Sequence, residues 1–377
     1  MKSSRARRGG RGKELPGLPV SRVGETRLVE RILSRFARAR GKGVVTGPGD
    51  DGAVIELVRG KRLVLTTDML VEGTHFVLGW SSPYAVGFKA VTANLSDVAA
   101  MGARPLGIVV SLGIPSSLPV RAVDRIYSGI SSALSLFGGE LLGGDTVHSR
   151  AVTVCVSAVG ELVGRAPLLR SGARPGHAVC VTGSLGSSCA GLMLLRKHFK
   201  AGRRSRSLAL KSWSERDRRF FKEKLPASMR RDGHACVSKH LMPRPRVAEA
   251  EVLSLCGPSA LIDISDGLLI DLGRVAAASG VGMLLREDDV PICRHCRSVA
   301  KKLRVSPYEL AVSSGEEYEL LFAMAPSRVR KTARALAERC GTTVTVIGDV
   351  VEPAQGMCVV DAEGRKSRLP EKGFQHF

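Results

Sequence analysis

Aspartate recurs in this chain where short apolar segments end. Asp50 and Asp51 follow the turn GPG, Asp68 ends LTTD, Asp145 follows LLGG, and Asp263 and Asp266 flank the IS of LIDISDG. Taken singly, each reads as a turn former or a helix cap. Asp97 differs: it lies in NLSD within an apolar helical stretch, where an unpaired carboxylate is costly to bury. Together, with threonine hydroxyls beside several of them, they suit a hard cation. Mg²⁺ takes oxygen ligands and commonly bridges to substrate phosphates.

The stretch GPGDDG, residues 47–52, spells G-x-G-x-x-G, the dinucleotide-binding pattern. That pattern needs a strand–turn–helix context, and here AVIEL, a strand candidate, follows. Asp50 and Asp51 would also face the pyrophosphate. The better reading gives Gly47 and Gly49 a tight turn and lets Asp50 offer a carboxylate to Mg²⁺, which in turn holds phosphate. Asp51 is left as a supporting partner or a turn hydrogen-bonder. No Walker A loop, kinase H-R-D or D-F-G set, or G-x-S-x-G elbow is present.

Strand and helix patterns alternate in both halves, with hairpin-like strand pairs among them, which predicts two α/β or α+β domains joined near residue 165. Residues 1–20 read as a disordered basic tail, 21–165 as an N-terminal domain and 166–377 as a C-terminal one. ETRLVERILSRFARA has helical spacing. Ser before Pro83 marks a helix start that runs towards Gly102. The segment 196–240 has little periodicity and reads as an inserted basic loop or short helices.

The net charge is +22 on 377 residues. The excess is concentrated in the tail and in 196–246, at roughly 17 basic against 4 acidic residues, a clustering that points to polyanions. It predicts weak binding without sequence preference. The aromatic interleaving of single-strand binders is absent. No apolar run approaches a membrane span. The nine cysteines, an odd number, sit in apolar segments and predict reduced thiols and a cytoplasmic location. Cys293-Arg-His-Cys296 is a single C-x-x-C with no second pair, which is a weak zinc signal.

GPGDDGAV, TTDMLVEGTHF, KAVTANLSDVAAMGARP, LLGGDT, LRSGARPG, IDISDGLLIDLG and SSGEEYELLF resemble the thiamine-monophosphate kinases, of the superfamily that includes aminoimidazole ribonucleotide synthetase. The resemblance runs from about residue 23 to GFQHF and omits the tail and most of 196–240. It implies an aminoimidazole ribonucleotide synthetase-like fold: an N-terminal α+β domain that dimerises through its sheet, and a C-terminal α/β domain. It implies ATP-dependent phosphorylation of thiamine monophosphate to thiamine diphosphate, the final step of that cofactor's biosynthesis, with several Mg²⁺ ions. The family's metal positions fall on Asp50, Thr66, Thr67, Asp68, Asp97, Asp145, Asp263 and Asp266. Its nucleotide contacts fall on Gly144, Asp145, Arg170 and Ser265. Its acceptor contacts fall on His75, Glu316 and an aromatic residue near the C-terminus, Phe374.

This chemistry fits the residue types. A phosphate monoester with a second pKa near ~6 is already an anionic nucleophile at neutral pH. No general base is required, and none is proposed. The barrier is the approach of two polyanions, which cations and positioning overcome. Two departures from the family stand out: Ser314 where glycine is usual, and His177 where aspartate is common. The nearest alternative is the ring-closing synthetase of the same superfamily.

Overall fold

The computed structural model describes residues 44–46, 50–56, 61–199 and 225–368. All fall within one compact unit, Gly41–Phe374. The basic tail, the helix expected at 25–39, Gly47, Gly49, residues 200–224 and Phe374 lie outside the described residues.

Two mixed sheets carry the chain. The first contains β1 (Val44–Thr46), β2 (Ala53–Glu56), β3 (Arg62–Val71), β4 (Ala103–Ile114), β5 (Glu140–His148) and β6 (Thr153–Leu162), in the order β1-β2-β3-β6-β4-β5. Only β4 and β5 pair in parallel. The second contains β7 (Ala178–Thr182), β8 (Ala260–Asp263), β9 (Gly282–Arg286), β10 (Leu320–Met324), β11 (Val344–Val351), β12 (Met357–Val360) and β13 (Lys366–Arg368), in the order β13-β12-β9-β11-β7-β10-β8. The glycines of LLGGDT are part of β5. Gly144 lies so close to β4 that a Cβ there would stand 2.2 Å from the Val110 oxygen.

The element that positions the site is α1 (Pro83–Ala100). Ser82 caps it by accepting from the Ala85 N–H at 2.9 Å, and Pro83 starts it. Proline fits there because the first-turn N–H groups have no intrahelical partner. The helix is buried on all sides except at Tyr84 and Asp97, as expected for a helix that is apolar around its circumference. On one side it packs on α2 (Val120–Phe137). Gly87 and Gly129 make the crossing: a Cβ on Gly129 would stand 1.9 Å from the Tyr84 oxygen. On the other side it meets β8 and α5 (Val247–Cys256). One hydrophobic core runs from Val64 and Val156 of the first sheet through Val91 and Leu95 of α1 to Leu261 and Phe322 of the second. The strand ends of both halves are thereby fixed around a single helix.

A smaller core joins α3 (Ser187–His198), α4 (Arg230–Leu241) and α7 (Arg294–Leu303). Residues 230–241, within the segment read from sequence as an inserted loop or short helices, form a packed helix. Helices α3 and α4 touch backbone to backbone: a Cβ on Gly191 would stand 2.3 Å from the Cys236 oxygen. The remaining helices are α6 (Leu268–Ser279), α8 (Pro307–Val312) and α9 (Pro326–Cys340).

Candidate active site

Three carboxylates from three elements converge beside α1. Asp51 comes from the turn before β2, Asp97 from α1 and Asp263 from the end of β8, and one oxygen from each lies within 4.8 Å of the others. Ser96 donates to Asp263 Oδ2 at 2.5 Å, and Thr66 donates to Asp97 Oδ2 at 2.6 Å. Asp263 is 1 % exposed, and its Oδ1 has no hydrogen-bond partner among the described residues. Burial, followed by the fields of Asp68, Asp263 and Asp51, holds the Asp97 carboxyl well above the usual carboxylate range. Burial and Asp51 do the same to Asp263. Such crowding is stable only with a proton or a cation to share. An all-oxygen donor set with an orphaned carboxylate oxygen fits a hard divalent ion.

Arg170 is the cation already present. Its Nη2 donates to Asp51 Oδ1 at 2.5 Å and its Nε to Oδ2 at 3.2 Å. Its backbone N–H donates to Asp50 Oδ1 at 3.1 Å. The structure therefore places Asp51, which the sequence reading left off the metal set, in the triad. Asp50 instead receives two backbone N–H groups, those of Arg170 and Asp51. Burial and the neighbouring Asp51 raise its pKa.

The remaining expected residues divide by strand alternation. Thr66 and Asp68 project to the α1 side of β3, and Thr67 projects to the other, bonding Ser157 Oγ at 3.0 Å. The Asp68 N–H is held by Asn94 Oδ1 at 3.0 Å. Asp145 is not brought to the triad. It lies exposed on the edge strand β5 and accepts from the Thr146 N–H at 2.8 Å. The register Met69–Cys155–Ser111–Asp145 puts it three strands from β3, about 14 Å at ~4.8 Å per strand.

Asp266 is half-buried and paired with Arg274 Nη2 at 2.6 Å. Asp271, which the sequence reading passed over, organises this loop: its Oδ2 accepts from the N–H groups of Asp266 and Gly267, both at 3.1 Å. Burial pushes its carboxyl up to about 7. The Ser265 oxygen accepts from the Glu316 N–H at 2.7 Å, so the loops after β8 and before β10 are joined. Glu316 (φ 57°) and Tyr318 (φ 51°) both have left-handed backbones, a strained state for non-glycine residues. His75 turns inward to accept from the Val71 N–H through Nδ1 at 3.0 Å.

Of the two departures, Ser314 ties helix α3 to this loop. Its Oγ accepts from the Cys189 N–H at 3.0 Å and donates to Glu317 Oε1 at 2.7 Å. His177 bonds Ser259 Oγ at 2.7 Å, away from the triad. Lys89, Ser96 and His240 were also missed. The signal for Lys89 was available: one basic residue in a largely apolar helix.

Residues 49–162 match the family AIR synthase related protein, N-terminal domain, and residues 174–361 match the corresponding C-terminal domain family. The thiamine-monophosphate kinase of Mycobacterium tuberculosis is 35 % identical over 303 residues, covering 80 % of this chain and 81 % of that protein. The thiamine-monophosphate kinase of Bacillus subtilis is 31 % identical over 338 residues, covering 89 % and 94 %. Among solved structures, AaThiL complexed with AMPPCP and TMP superposes with a TM-score of 0.77 at 30 % identity, covering 96 % of this chain and all of that one.

Proposed function

The chain belongs to the thiamine-monophosphate kinases among the AIR synthase related proteins, and from that premise we infer that it transfers the γ-phosphoryl group of ATP to thiamine monophosphate. An acceptor phosphate oxygen forms the new bond to the γ-phosphorus, the bond to the ADP oxygen breaks, and thiamine diphosphate and ADP leave. The observation that carries this reading is the triad of Asp51, Asp97 and Asp263 with a buried Asp263 oxygen that has no partner among the described residues.

Asp51, Asp97 and Asp263, with Asp68 and Asp266 at the margins, would hold Mg²⁺. The ions supply positive charge that draws the two polyanions together and stabilises the leaving phosphate. The chain's own groups do the rest. Thr66 and Ser96 fix the carboxylate rotamers. Arg170 neutralises Asp51 and, as a planar fork, can exchange that carboxylate for a nucleotide phosphate. Ser265 and Gly144 are assigned to the nucleotide, and His75, Glu316 and Phe374 to the acceptor. No side chain is needed as a base, because the acceptor oxygen arrives ionised.

Asp145 can serve Asp68 only across a dimer, given their separation along one sheet. A second copy also explains the outer face of that sheet, where Met69, Val109, Leu142 and Val147 are each more than two-fifths exposed and form an apolar patch. Among the described residues no helix is long and apolar enough to cross a membrane, and the reduced cysteines support a cytoplasmic location. The basic excess supports weak polyanion binding, which a salt-insensitive RNA affinity would overturn.

The test is direct. Purified protein with ATP, Mg²⁺ and thiamine monophosphate is expected to yield thiamine diphosphate and ADP, with unphosphorylated thiamine a poor acceptor. Turnover of formylglycinamidine ribonucleotide in place of thiamine monophosphate would move the assignment to the ring-closing relative.

A further inference from the structure

Helix α1 has one basic side chain, Lys89, and it is 3 % exposed. An ammonium in such a place costs several kcal/mol unless it is paired. Its Nζ stands 2.5 Å from Glu316 Oε1. A third element reaches the same carboxylate: His240 of α4, itself buried, places Nδ1 3.2 Å from Glu316 Oε2 and 3.1 Å from Ser188 Oγ. Burial, with the charges of Lys89 and Arg196, pushes the imidazole pKa well below 6.5. The neutral ring therefore lies against the Glu316 carboxylate without adding charge, while its Nδ1 hydrogen-bonds with Ser188 Oγ. The two carboxylate oxygens thus have different neighbours, Lys89 at one and His240 at the other.

Glu316 is nevertheless a quarter exposed. Its strained backbone and its N–H bond to the Ser265 oxygen keep it on the loop beside the triad. Helix α1 sets the distance. Lys89 and Ser96 are seven residues apart, about two turns or ~10 Å along the axis, and Ser96 holds Asp263 of the triad. A clamped, partly open carboxylate at that remove from the phosphoryl-transfer point matches an acceptor whose far end carries an amino-substituted heteroaromatic ring.

We propose that Lys89 and His240 are positioning residues for the acceptor: they fix the Glu316 carboxylate so that it receives the aminopyrimidine end of thiamine monophosphate. This rests on Glu316 being an acceptor contact, as assigned above. The side chains assigned to the nucleotide, Arg170 and Ser265, are not part of the Lys89–Glu316–His240 cluster, so KM for ATP is expected to change little.

Steady-state kinetics on the full chain with Mg²⁺, varying each substrate, tests the proposal. Lys89→Met is expected to raise KM for thiamine monophosphate about tenfold, with kcat and KM for ATP changed less than about twofold. His240→Leu should act in the same sense, and His240→Gln, which keeps a polar group beside the carboxylate and Ser188, should restore much of the loss. The double variant Lys89→Met/Glu316→Gln should be no worse than Glu316→Gln alone, because both changes remove one interaction. Should Lys89→Met fail to fold, that double variant, which leaves no lone buried charge, and the His240 pair still decide. Glu316→Gln without effect on KM for thiamine monophosphate would sink the assignment of Glu316 itself. An effect of Glu316→Gln with none from Lys89→Met and His240→Leu would overturn the clamp alone. So would additive losses, or equal effects on both substrates.

Discussion

Asp263 ends β8 opposite Leu320 of β10, Glu319 directly precedes that strand, and each is 1 % exposed. Their surroundings push them in opposite directions. Glu319 accepts from Arg246 Nε and Nη2, both at 2.6 Å, from Lys239 at 3.2 Å and from Thr182 at 2.8 Å. Those partners outweigh burial, and its pKa is lowered. Asp263 has one serine hydroxyl, two aspartate neighbours and an oxygen with no partner among the described residues, and its pKa is raised. The fold can complete a buried carboxylate when it needs to, as Glu319 demonstrates. Asp263 is left incomplete among the described residues and beside two further carboxylates, the combination that makes it the candidate for a ligand from outside the chain.

The largest expected effect tests the incomplete member. Asp263→Asn should lower kcat/KM by about a thousandfold, some 4 kcal/mol of transition-state stabilisation, without lowering metal-free stability. Retention of both the rate and its Mg²⁺ dependence would break the contrast. Glu319→Gln should do the reverse. It leaves Arg246 with a buried, under-compensated charge and should cost roughly 3 kcal/mol in urea unfolding, with the enzyme that remains folded still responding to Mg²⁺.

A smaller effect separates the two through pH. Asp97 and Asp263 have folded pKa values above their unfolded ones, so between those limits the folded chain binds more protons. Metal-free stability should therefore fall as pH rises from the carboxylate range towards neutrality. Glu319 has the opposite sign: its contribution is present above its unfolded pKa and is lost only on acidification through the folded one. Saturating Mg²⁺ should remove the first slope and leave the second. Unfolding curves at pH 3 to 8, with and without the ion, check this. A metal-free stability that rises towards pH 8 would contradict the triad's crowding.

The sequence made one member of this contrast visible and hid the other. Asp263 lies in a motif, and aspartates beside glycine or serine at strand ends declare themselves. The alternation of strands and helices was legible for the same reason: periodicity is local. What local pattern does not carry is convergence. Asp50 and Asp51 are adjacent, and only the approach of Arg170 and β8 decides which enters the triad. Thr66 and Thr67 look equivalent until the strand's alternation sends them to opposite faces. Glu319, Arg246 and Lys239 look like ordinary surface charges because their pairing spans a long stretch of chain. The sequence left 230–241 as loop or short helix because its buried face, Gly233, Cys236, Val237, His240 and Leu241, mixes a glycine and a histidine into a short apolar stripe.

Glu317 supplies the intermediate case, and with it the smallest effect. It is fully buried. Its Oε1 accepts from the Ser188 N–H at 2.9 Å and from Ser314 Oγ at 2.7 Å, while Oε2 has no partner among the described residues. Its pKa is raised by burial, against the pull of Lys239 and these two donors. Ser314→Ala removes one donor and moves Glu317 towards the condition of Asp263. The expected loss is about 1 kcal/mol at neutral pH, with kcat little changed because Glu316 keeps its own bonds. The hydroxyl favours the ionised carboxylate, so the loss should be present above the folded pKa of Glu317 and shrink as pH falls below it. Thermal unfolding of both proteins at pH 7.5 and pH 4.5 measures the difference. An equal loss at both values would place the hydroxyl's worth in its bond to the Cys189 N–H, and Glu317 would then belong with the completed carboxylates.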